Sequence, residues 1–320
     1  MLKYVTYLKT KSENNIVSHG LGDWFDMGPK QPGESQLTPK SLTATSIYYY
    51  DLKLLSRIAG VLGKAKEQKD ITEWSDQVKR SFNTRFFNTK TGVIATGSQT
   101  SMSMPYSVGL VDPEFKDLVI NNLEDSIRAN GKALTAGDVG FHYLVEALTK
   151  GGKSQLLYEM NNRNDVPGYG FQLSRGATAL TESWPALENV SNNHLMLGHL
   201  MEWFYSGLGG IGQTENSVAY KEISIKPKMV EGLAHTKATY DSPYGPIKCD
   251  WTRKDKTVTC IVEVPVNTTA IITFDISSKT TVSEGGHEIS DFRDVKVISK
   301  KNGLLICRVG SGKYSFRIEN

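Results

Sequence analysis

The spacing of apolar residues changes once along the chain, near residue 215, and this change constrains the fold more than any other feature. Before it, apolar residues recur every three to five positions, which is the pattern of amphipathic helices. After Gly212 apolar and polar residues alternate, and turn dipeptides such as Gly285-Gly286 separate the runs. We predict a helical domain over residues 1–212 followed by an antiparallel β-sandwich over residues 213–320.

Capping signals place the helices of the first domain. Thr38 is predicted to be the N-cap of the first long helix, with Pro39 at its first helical position and Gly63 at its end. The spacing predicts further helices over 72–86, 113–130, 139–148, 154–160 and 192–208. Residues 1–9 also have a helical pattern, but no capping residue precedes them. We therefore expect that the preceding part of a domain is missing; the alternative is an ordinary short N-terminal helix.

Composition excludes several classes of protein. Lys and Arg number 37 against 34 Asp and Glu, and this net charge of +3 is too balanced to indicate nucleic-acid binding. Mean hydropathy is −0.34 and no apolar run reaches about 18 residues, so no membrane-spanning helix is predicted. The first residues lack the apolar stretch of a signal peptide, and localisation stays open. The three cysteines fit neither a disulfide framework nor a metal-ligand spacing; we predict buried thiols and no metal or organic cofactor.

A first candidate cluster spans residues 20–26. Gly20 and Gly22 allow a tight turn that presents Asp23 directly beside the indole of Trp24. In carbohydrate sites the apolar face of a sugar stacks on an indole while an acid accepts hydrogen bonds from the hydroxyls. The alternative is a structural loop in which Asp23 caps a turn and Trp24 packs in the core.

Two further clusters lie between residues 176 and 194. Glu182 lies among apolar and hydroxyl-bearing residues, two positions before Trp184, and such surroundings can suit a carboxylate to general-base chemistry. The alternative is a glutamate in the first turn of a helix, where an anion is stabilised. His194 follows Ser191-Asn192-Asn193 and could donate a hydrogen bond to a sugar or a carboxylate. The alternative there is a helix cap made by an asparagine, with His194 merely adjacent.

Taken in order, these clusters resemble the C-terminal part of bacterial α-L-rhamnosidases. The resemblance rests on Gly-Asp-Trp at 22–24, the helix start at Thr38-Pro39, residues 177–184, and Asn193-His194. In the strand region, residues 240–245 followed by Trp251, and residues 264–270, are similar to the closing β-domain of that family. The resemblance covers nearly the whole chain.

The resemblance implies an (α/α)6 toroid with the active site at its mouth, and hydrolysis of α-L-rhamnosides with inversion. It implies that Glu182 is the general base and that Asp23 contacts the sugar. Trp24 and His194 match positions that line the rhamnose pocket, and Trp184 is counted with them as substrate-binding. The resemblance requires no cofactor, and its partner molecule is a carbohydrate.

The region before Gly22 departs from the family pattern. The family's general acid lies upstream of the Gly-Asp-Trp motif in an acidic, Arg-containing stretch, whereas the 21 residues before Gly22 hold Glu13 as their one acid. Inverting hydrolysis needs an acid as well as a base, roughly 6.5–9.5 Å apart. We therefore expect an incomplete toroid that is inactive alone, with the missing N-terminal part as its partner. The alternatives are a non-catalytic carbohydrate-binding remnant and another (α/α)6 glycosidase, such as an unsaturated-uronide hydrolase.

Overall fold

Helices come first along the chain and strands follow, in a computed structural model that describes residues 1–289 and 293–319. The chain divides into two compact units, the first over Met1–His199 and the second from Leu200 onward. The first unit is helical, and the second is built mainly of antiparallel strands in two sheets. The predicted fold class, a helical toroid-type domain followed by an antiparallel β-sandwich, is confirmed.

The first unit consists of helices joined by loops and two short hairpins. The helices are α1 (Leu2–Thr10), α2 (Lys40–Val61), α3 (Ala65–Phe86), α4 (Gln99–Val108), α5 (Lys116–Ala129), α6 (Gly140–Lys150), α7 (Ser154–Asn161) and α8 (Tyr169–Ser174). The hairpins pair β1 (Ser12–Glu13) with β2 (Ile16–Val17), and β3 (Phe87–Asn88) with β4 (Val93–Ile94).

The starts of α2 and α3 differ from the predicted ones. Pro39 occupies the N-cap position of α2, one residue later than predicted, and the hydroxyl of Thr38 shares a 2.7 Å hydrogen bond with that of Ser98 instead of capping the helix. α3 begins at Ala65 rather than Thr72. Residues 64–70 are exposed and polar, so its first two turns show no apolar stripe that a sequence pattern could reveal.

Helix α4 was not predicted, because nearly all of its residues are buried. A helix that is covered on every side has no amphipathic period. It also contains Pro105, which ordinarily signals a helix end. Ser98 caps it, since the hydroxyl accepts a 3.1 Å hydrogen bond from the backbone N–H of Ser101.

The prediction of one long helix over 192–208 is wrong. The segment consists of a 3₁₀ turn at Leu195–Leu197, the short helix α9 (Leu200–Trp203) and a π-helical turn at Phe204–Leu208. Its apolar residues do not form one buried face: Leu197 and Trp203 are buried, whereas Leu195 is 81% exposed. An apolar spacing without a common packing surface does not hold a continuous helix.

The strands of the second unit form two sheets in the described residues. The strands are β5 (Ile211–Gln213), β6 (Glu222–Ile225), β7 (His235–Ser242), β8 (Gly245–Lys254), β9 (Thr257–Val264), β10 (Thr269–Asp275), β11 (Thr281–Glu284), β12 (His287–Glu288), β13 (Val295–Lys301), β14 (Leu304–Val309) and β15 (Gly312–Glu319). The first sheet, of five strands, has the order β13-β14-β10-β6-β5, and the second, of six, has the order β12-β11-β15-β9-β8-β7.

The core of the second unit lies between these two sheets. Along β9, buried residues alternate with partly exposed ones over its whole length, so one face of the strand lies in the core. The rings of Phe274 and Phe316, one from each sheet, lie 5.2 Å apart and meet edge to face. Neighbouring strands are antiparallel except β6 and β10, which pair in parallel from Glu222↔Thr269 to Ile225↔Ile272.

None of the helices formed by residues 1–289 and 293–319 has the length and apolar character that crossing a membrane requires.

Candidate active site

The loop that follows Gly22 is held in place by a buried carboxylate. Asp26 accepts hydrogen bonds from the backbone N–H groups of Gln36 at 2.9 Å and Leu37 at 2.7 Å, and from the hydroxyl of Ser35 at 3.2 Å. Asp26 is 2% exposed, so these donors replace the water that its charge would otherwise require. The bonds close the loop back on itself and fix the position of Trp24.

Asp23 is the first residue of this loop, and its side chain is fully enclosed. Its carboxylate accepts hydrogen bonds from the backbone N–H of Gly140 at 2.7 Å, from that of Gly137 at 3.0 Å and from the hydroxyl of Thr100. Gly140 is the first residue of α6, where the backbone N–H groups favour an anion. Burial raises the pKa of Asp23 to about 6, and these hydrogen bonds offset the rise only in part.

The placement of Asp23 bears on its predicted role. The residue is 0% exposed and both carboxylate oxygens already accept hydrogen bonds from the protein. A direct contact with sugar stays a prediction. The geometry favours a supporting role, in which Asp23 ties the loop that carries Trp24 to the start of α6.

A second loop brings Glu182 and His194 together. The backbone N–H of Glu182 donates to the carbonyl of Ser191 at 2.9 Å, and that of His194 donates to the carbonyl of Leu180 at 2.8 Å. These two bonds pair residues 180–182 with residues 191–194, so side chains twelve positions apart lie side by side. Glu182 is in a bend rather than the first turn of a helix, so the alternative of a helix-stabilising glutamate is wrong.

Two donors orient the carboxylate of Glu182. Oε1 accepts a 3.4 Å hydrogen bond from the indole N–H of Trp24, and Oε2 accepts a 3.1 Å bond from the backbone N–H of Ser191. Both Glu182 and Trp24 are half-buried, so each retains contact with solvent. The carboxylate is therefore held in one orientation and stays accessible to a small molecule.

Asp138 joins this site and was not singled out in the sequence. Its backbone N–H donates to the carbonyl of Trp24 at 2.8 Å, and its Oδ2 lies 3.4 Å from Nε2 of His194. One ligand atom from each of Asp138, Glu182 and His194 lies within 4.8 Å of the other two. A signal for Asp138 existed, because it lies between glycines ahead of a helix, much as Asp23 follows Gly20 and Gly22.

The three ligand atoms allow two kinds of chemistry. Two carboxylates and an imidazole can share protons, and they are also donor types found around bound divalent metal ions. All three atoms lie within 4.8 Å of one another, which is close enough for either kind of chemistry.

Trp184 lies outside the accessible part of the site. It is 0% exposed, its indole N–H donates to the carbonyl of Ala136 at 2.8 Å, and its ring packs edge-on against Phe141 and Tyr169. Its role as a substrate contact stays a prediction. The burial favours a packing role, in which Trp184 holds the loop around Glu182 against α6.

Comparison with family models identifies the helical unit with its oriented carboxylate and half-buried indole as a glycosidase-type domain, followed by a β-domain. Residues 1–208 match the bacterial alpha-L-rhamnosidase 6 hairpin glycosidase domain, and residues 210–288 match the bacterial alpha-L-rhamnosidase C-terminal domain. The chain belongs to the bacterial alpha-L-rhamnosidase family.

Individual relatives are similar over nearly the whole chain. An alpha-L-rhamnosidase of Formosa agariphila is 26% identical over 99% of this chain and 35% of its own length. A second, from Streptomyces avermitilis, is 24% identical over 98% of this chain and 30% of its own length. The chain thus spans about a third of the length of the curated relatives it matches.

Solved structures agree with the fold. The alpha-L-rhamnosidase from Dictyoglumus thermophilum superposes with a TM-score of 0.89 at 28% identity, covering 100% of this chain and 36% of that one. The Streptomyces avermitilis enzyme, solved with L-rhamnose, superposes with a TM-score of 0.86 at 23% identity, covering 99% and 30%.

Proposed function

We propose that this site is the water-activating side of an inverting glycoside hydrolase that removes terminal α-L-rhamnosyl groups. The observation that carries the proposal is the Glu182 carboxylate, which is held by Trp24 and Ser191 and lies beside His194. Membership of the rhamnosidase family supports the sugar, because the names of the relatives give α-L-rhamnosides as their substrates.

Glu182 acts as the general base in this proposal. Its carboxylate takes a proton from a water molecule while the water oxygen bonds to the anomeric carbon on the face opposite the leaving group. The bond from that carbon to the glycosidic oxygen breaks in the same step, which inverts the configuration. In the proposed complex the indole face of Trp24 stacks against the apolar side of the sugar, and His194 donates a hydrogen bond to a hydroxyl.

The leaving oxygen must receive a proton from a second acid. Asp23 is enclosed by protein donors, and an oxygen of Asp138 lies within 4.8 Å of one from Glu182, closer than the roughly 6.5–9.5 Å that separates the carboxyls of an inverting pair. Neither residue is placed as the acid. We propose that another part of the enzyme supplies it, and that these 320 residues alone bind the sugar with little turnover.

The test combines binding with turnover on the 320-residue chain. We expect L-rhamnose to bind saturably in isothermal titration calorimetry, and 4-nitrophenyl α-L-rhamnoside to be hydrolysed no faster than in buffer. An unsaturated uronide serves as the matched ligand for the alternative glycosidase. Hydrolysis at a useful rate that Glu182→Gln abolishes would overturn the proposed inactivity, and tighter binding of the uronide would overturn the choice of sugar.

A further inference from the structure

The imidazole of His194 faces a buried acid that the reaction scheme above does not use. Asp138 is 4% exposed, and its Oδ2 lies 3.4 Å from Nε2 of His194, whose side chain is 27% exposed. The acid thus lies beneath the imidazole, and the imidazole keeps an open edge toward solvent. In this arrangement a buried carboxylate contacts a half-buried imidazole, and the other edge of the imidazole is open to solvent. Carboxylates orient ligand-contacting histidines in this way.

We propose that Asp138 is a positioning residue, whose carboxylate orients the His194 imidazole so that its open edge donates a hydrogen bond to the bound sugar. The sugar in this statement rests on the proposed function. The pairing of Asp138 with His194 does not, because it stands on the distance and the burial alone.

The atoms of the pair have few competing partners. Among the residues that the structure describes, neither Oδ1 of Asp138 nor Nε2 of His194 makes a hydrogen bond that meets normal geometry, although both atoms are buried. A separation of 3.4 Å is within reach of an ion pair and longer than an ideal N–H···O bond. The imidazole can therefore tighten onto Asp138 without breaking another bond.

The groups that face Asp138 come from two loops. Glu182 and His194 approach from the loop over 180–194, and Asp23 approaches from the loop after Gly22. Burial raises the pKa of Asp138 to about 6, the positive charge of His194 opposes the rise, and the negative charges of Glu182 and Asp23 add to it. His194 is therefore the group that favours ionised Asp138, while both neighbouring carboxylates disfavour it.

A direct test follows the Asp138 carboxyl itself. In protein labelled with ¹³C-aspartate, the carboxyl carbon of Asp138 is assigned with Asp138→Asn and titrated by NMR between pH 4 and 8. We expect a midpoint near 6. We expect His194→Gln to raise it by about half a unit to one unit and Glu182→Gln to lower it, because each change removes one charge of known sign. A midpoint that His194→Gln leaves in place overturns the pair, whether or not any sugar binds.

The role toward the sugar is tested by the affinity for L-rhamnose. We expect Asp138→Asn to weaken binding about fivefold at pH 7 and to flatten its change between pH 5 and 7, since the amide does not titrate. Asp125→Asn, an exposed aspartate on α5, is the matched control and should bind as the wild type does. Unchanged affinity with a flat wild-type pH profile overturns the positioning role.

The two failures are distinguishable. If wild-type protein binds no L-rhamnose but His194→Gln still moves the Asp138 midpoint, the proposed function fails and the Asp138–His194 pair is supported. If Asp138→Asn does not fold, the midpoint shifts in His194→Gln and Glu182→Gln still decide the pairing, because both of those changes leave Asp138 in place.

Discussion

The indole nitrogen of Trp24 lies 3.4 Å from Oε1 of Glu182, although the two residues are 158 positions apart in the chain. The contact joins the loop after Gly22 to the loop over 180–194, so the aromatic platform and the candidate base are positioned by one another. A change in either side chain is expected to affect both stacking of the sugar and the orientation of the carboxylate.

Trp24→Phe tests this contact, because phenylalanine keeps an aromatic face and loses the N–H donor. A long hydrogen bond to a carboxylate contributes about 1 kcal/mol, so we expect L-rhamnose to bind roughly fivefold more weakly in calorimetry. Trp74→Phe is the control, since Trp74 packs against Tyr48 between α2 and α3. An equal loss of affinity in the control would show that the effect is not specific to the site.

The enclosed carboxylate of Asp23 makes stability depend on pH. Its pKa is about 6 in the folded protein, above the roughly 3.9 of an unfolded chain, so the folded state holds the proton more tightly. The stability it contributes is present below pH 3.9 and is lost as the pH rises through 6. Ionised Asp23 is therefore less favourable in the folded protein than in the unfolded chain, and this lowers the free energy of unfolding at neutral pH.

Asp23→Asn removes this titration. We expect the free energy of unfolding of the wild type, taken relative to that of Asp23→Asn, to decrease between pH 4 and pH 7 by at most about 3 kcal/mol. In Asp23→Asn the NH₂ group of the amide points at a backbone N–H donor, so one hydrogen bond is lost. This lowers the stability of the variant equally at both pH values. Urea unfolding at the two pH values measures the difference, and a difference independent of pH would contradict the raised pKa.

Gly140 is required by the close approach of Asp23 and Thr100. A Cβ at this position would clash with the hydroxyl of Thr100 and would stand 2.6 Å from Oδ2 of Asp23. We expect Gly140→Ala to destabilise the first unit by about 1–3 kcal/mol, the cost of overpacking a close-packed interior. In Gly212→Ala, the control, the added Cβ meets nothing within 4 Å, so urea unfolding should change little. Equal stabilities of the two variants would contradict the packing around Asp23.

The sandwich was predictable because its strands have one face in the core, so burial alternates along the sequence as along β9. Helix α4 was not predictable, because burial on all sides removes the alternation of apolar and polar faces that identifies a helix in a sequence. In the site, local composition singled out Asp23, Trp24 and Glu182 as candidates, and their predicted roles came from the family resemblance. Asp138 had a local signal in its position between two glycines, but its approach to His194, 56 positions away, cannot be read from the sequence.

The buried thiols of the second unit are expected to be unreactive. Sγ of Cys249 lies 3.8 Å from Sγ of Cys260. The contact with Cys260 and burial together raise the pKa of the Cys249 thiol. Burial raises the pKa of Cys307 to about 12. A thiol reagent acts on the thiolate. We therefore expect Ellman's reagent to label none of the three in native protein at pH 8 and all three in denaturant. Rapid native labelling would contradict the burial.

Trp184→Phe separates a packing role from a sugar contact. The change removes the hydrogen bond from the buried indole to the carbonyl of Ala136 and leaves space beside Phe141. An unpaired buried carbonyl costs about 1–3 kcal/mol and the lost volume adds to it, so we expect unfolding in urea to be easier by about 2–4 kcal/mol. Because Trp184 is 0% exposed, we expect the folded variant to bind L-rhamnose within twofold of the wild type. A large loss of affinity at unchanged stability would instead place the indole of Trp184 against the sugar, in line with its predicted substrate-binding role.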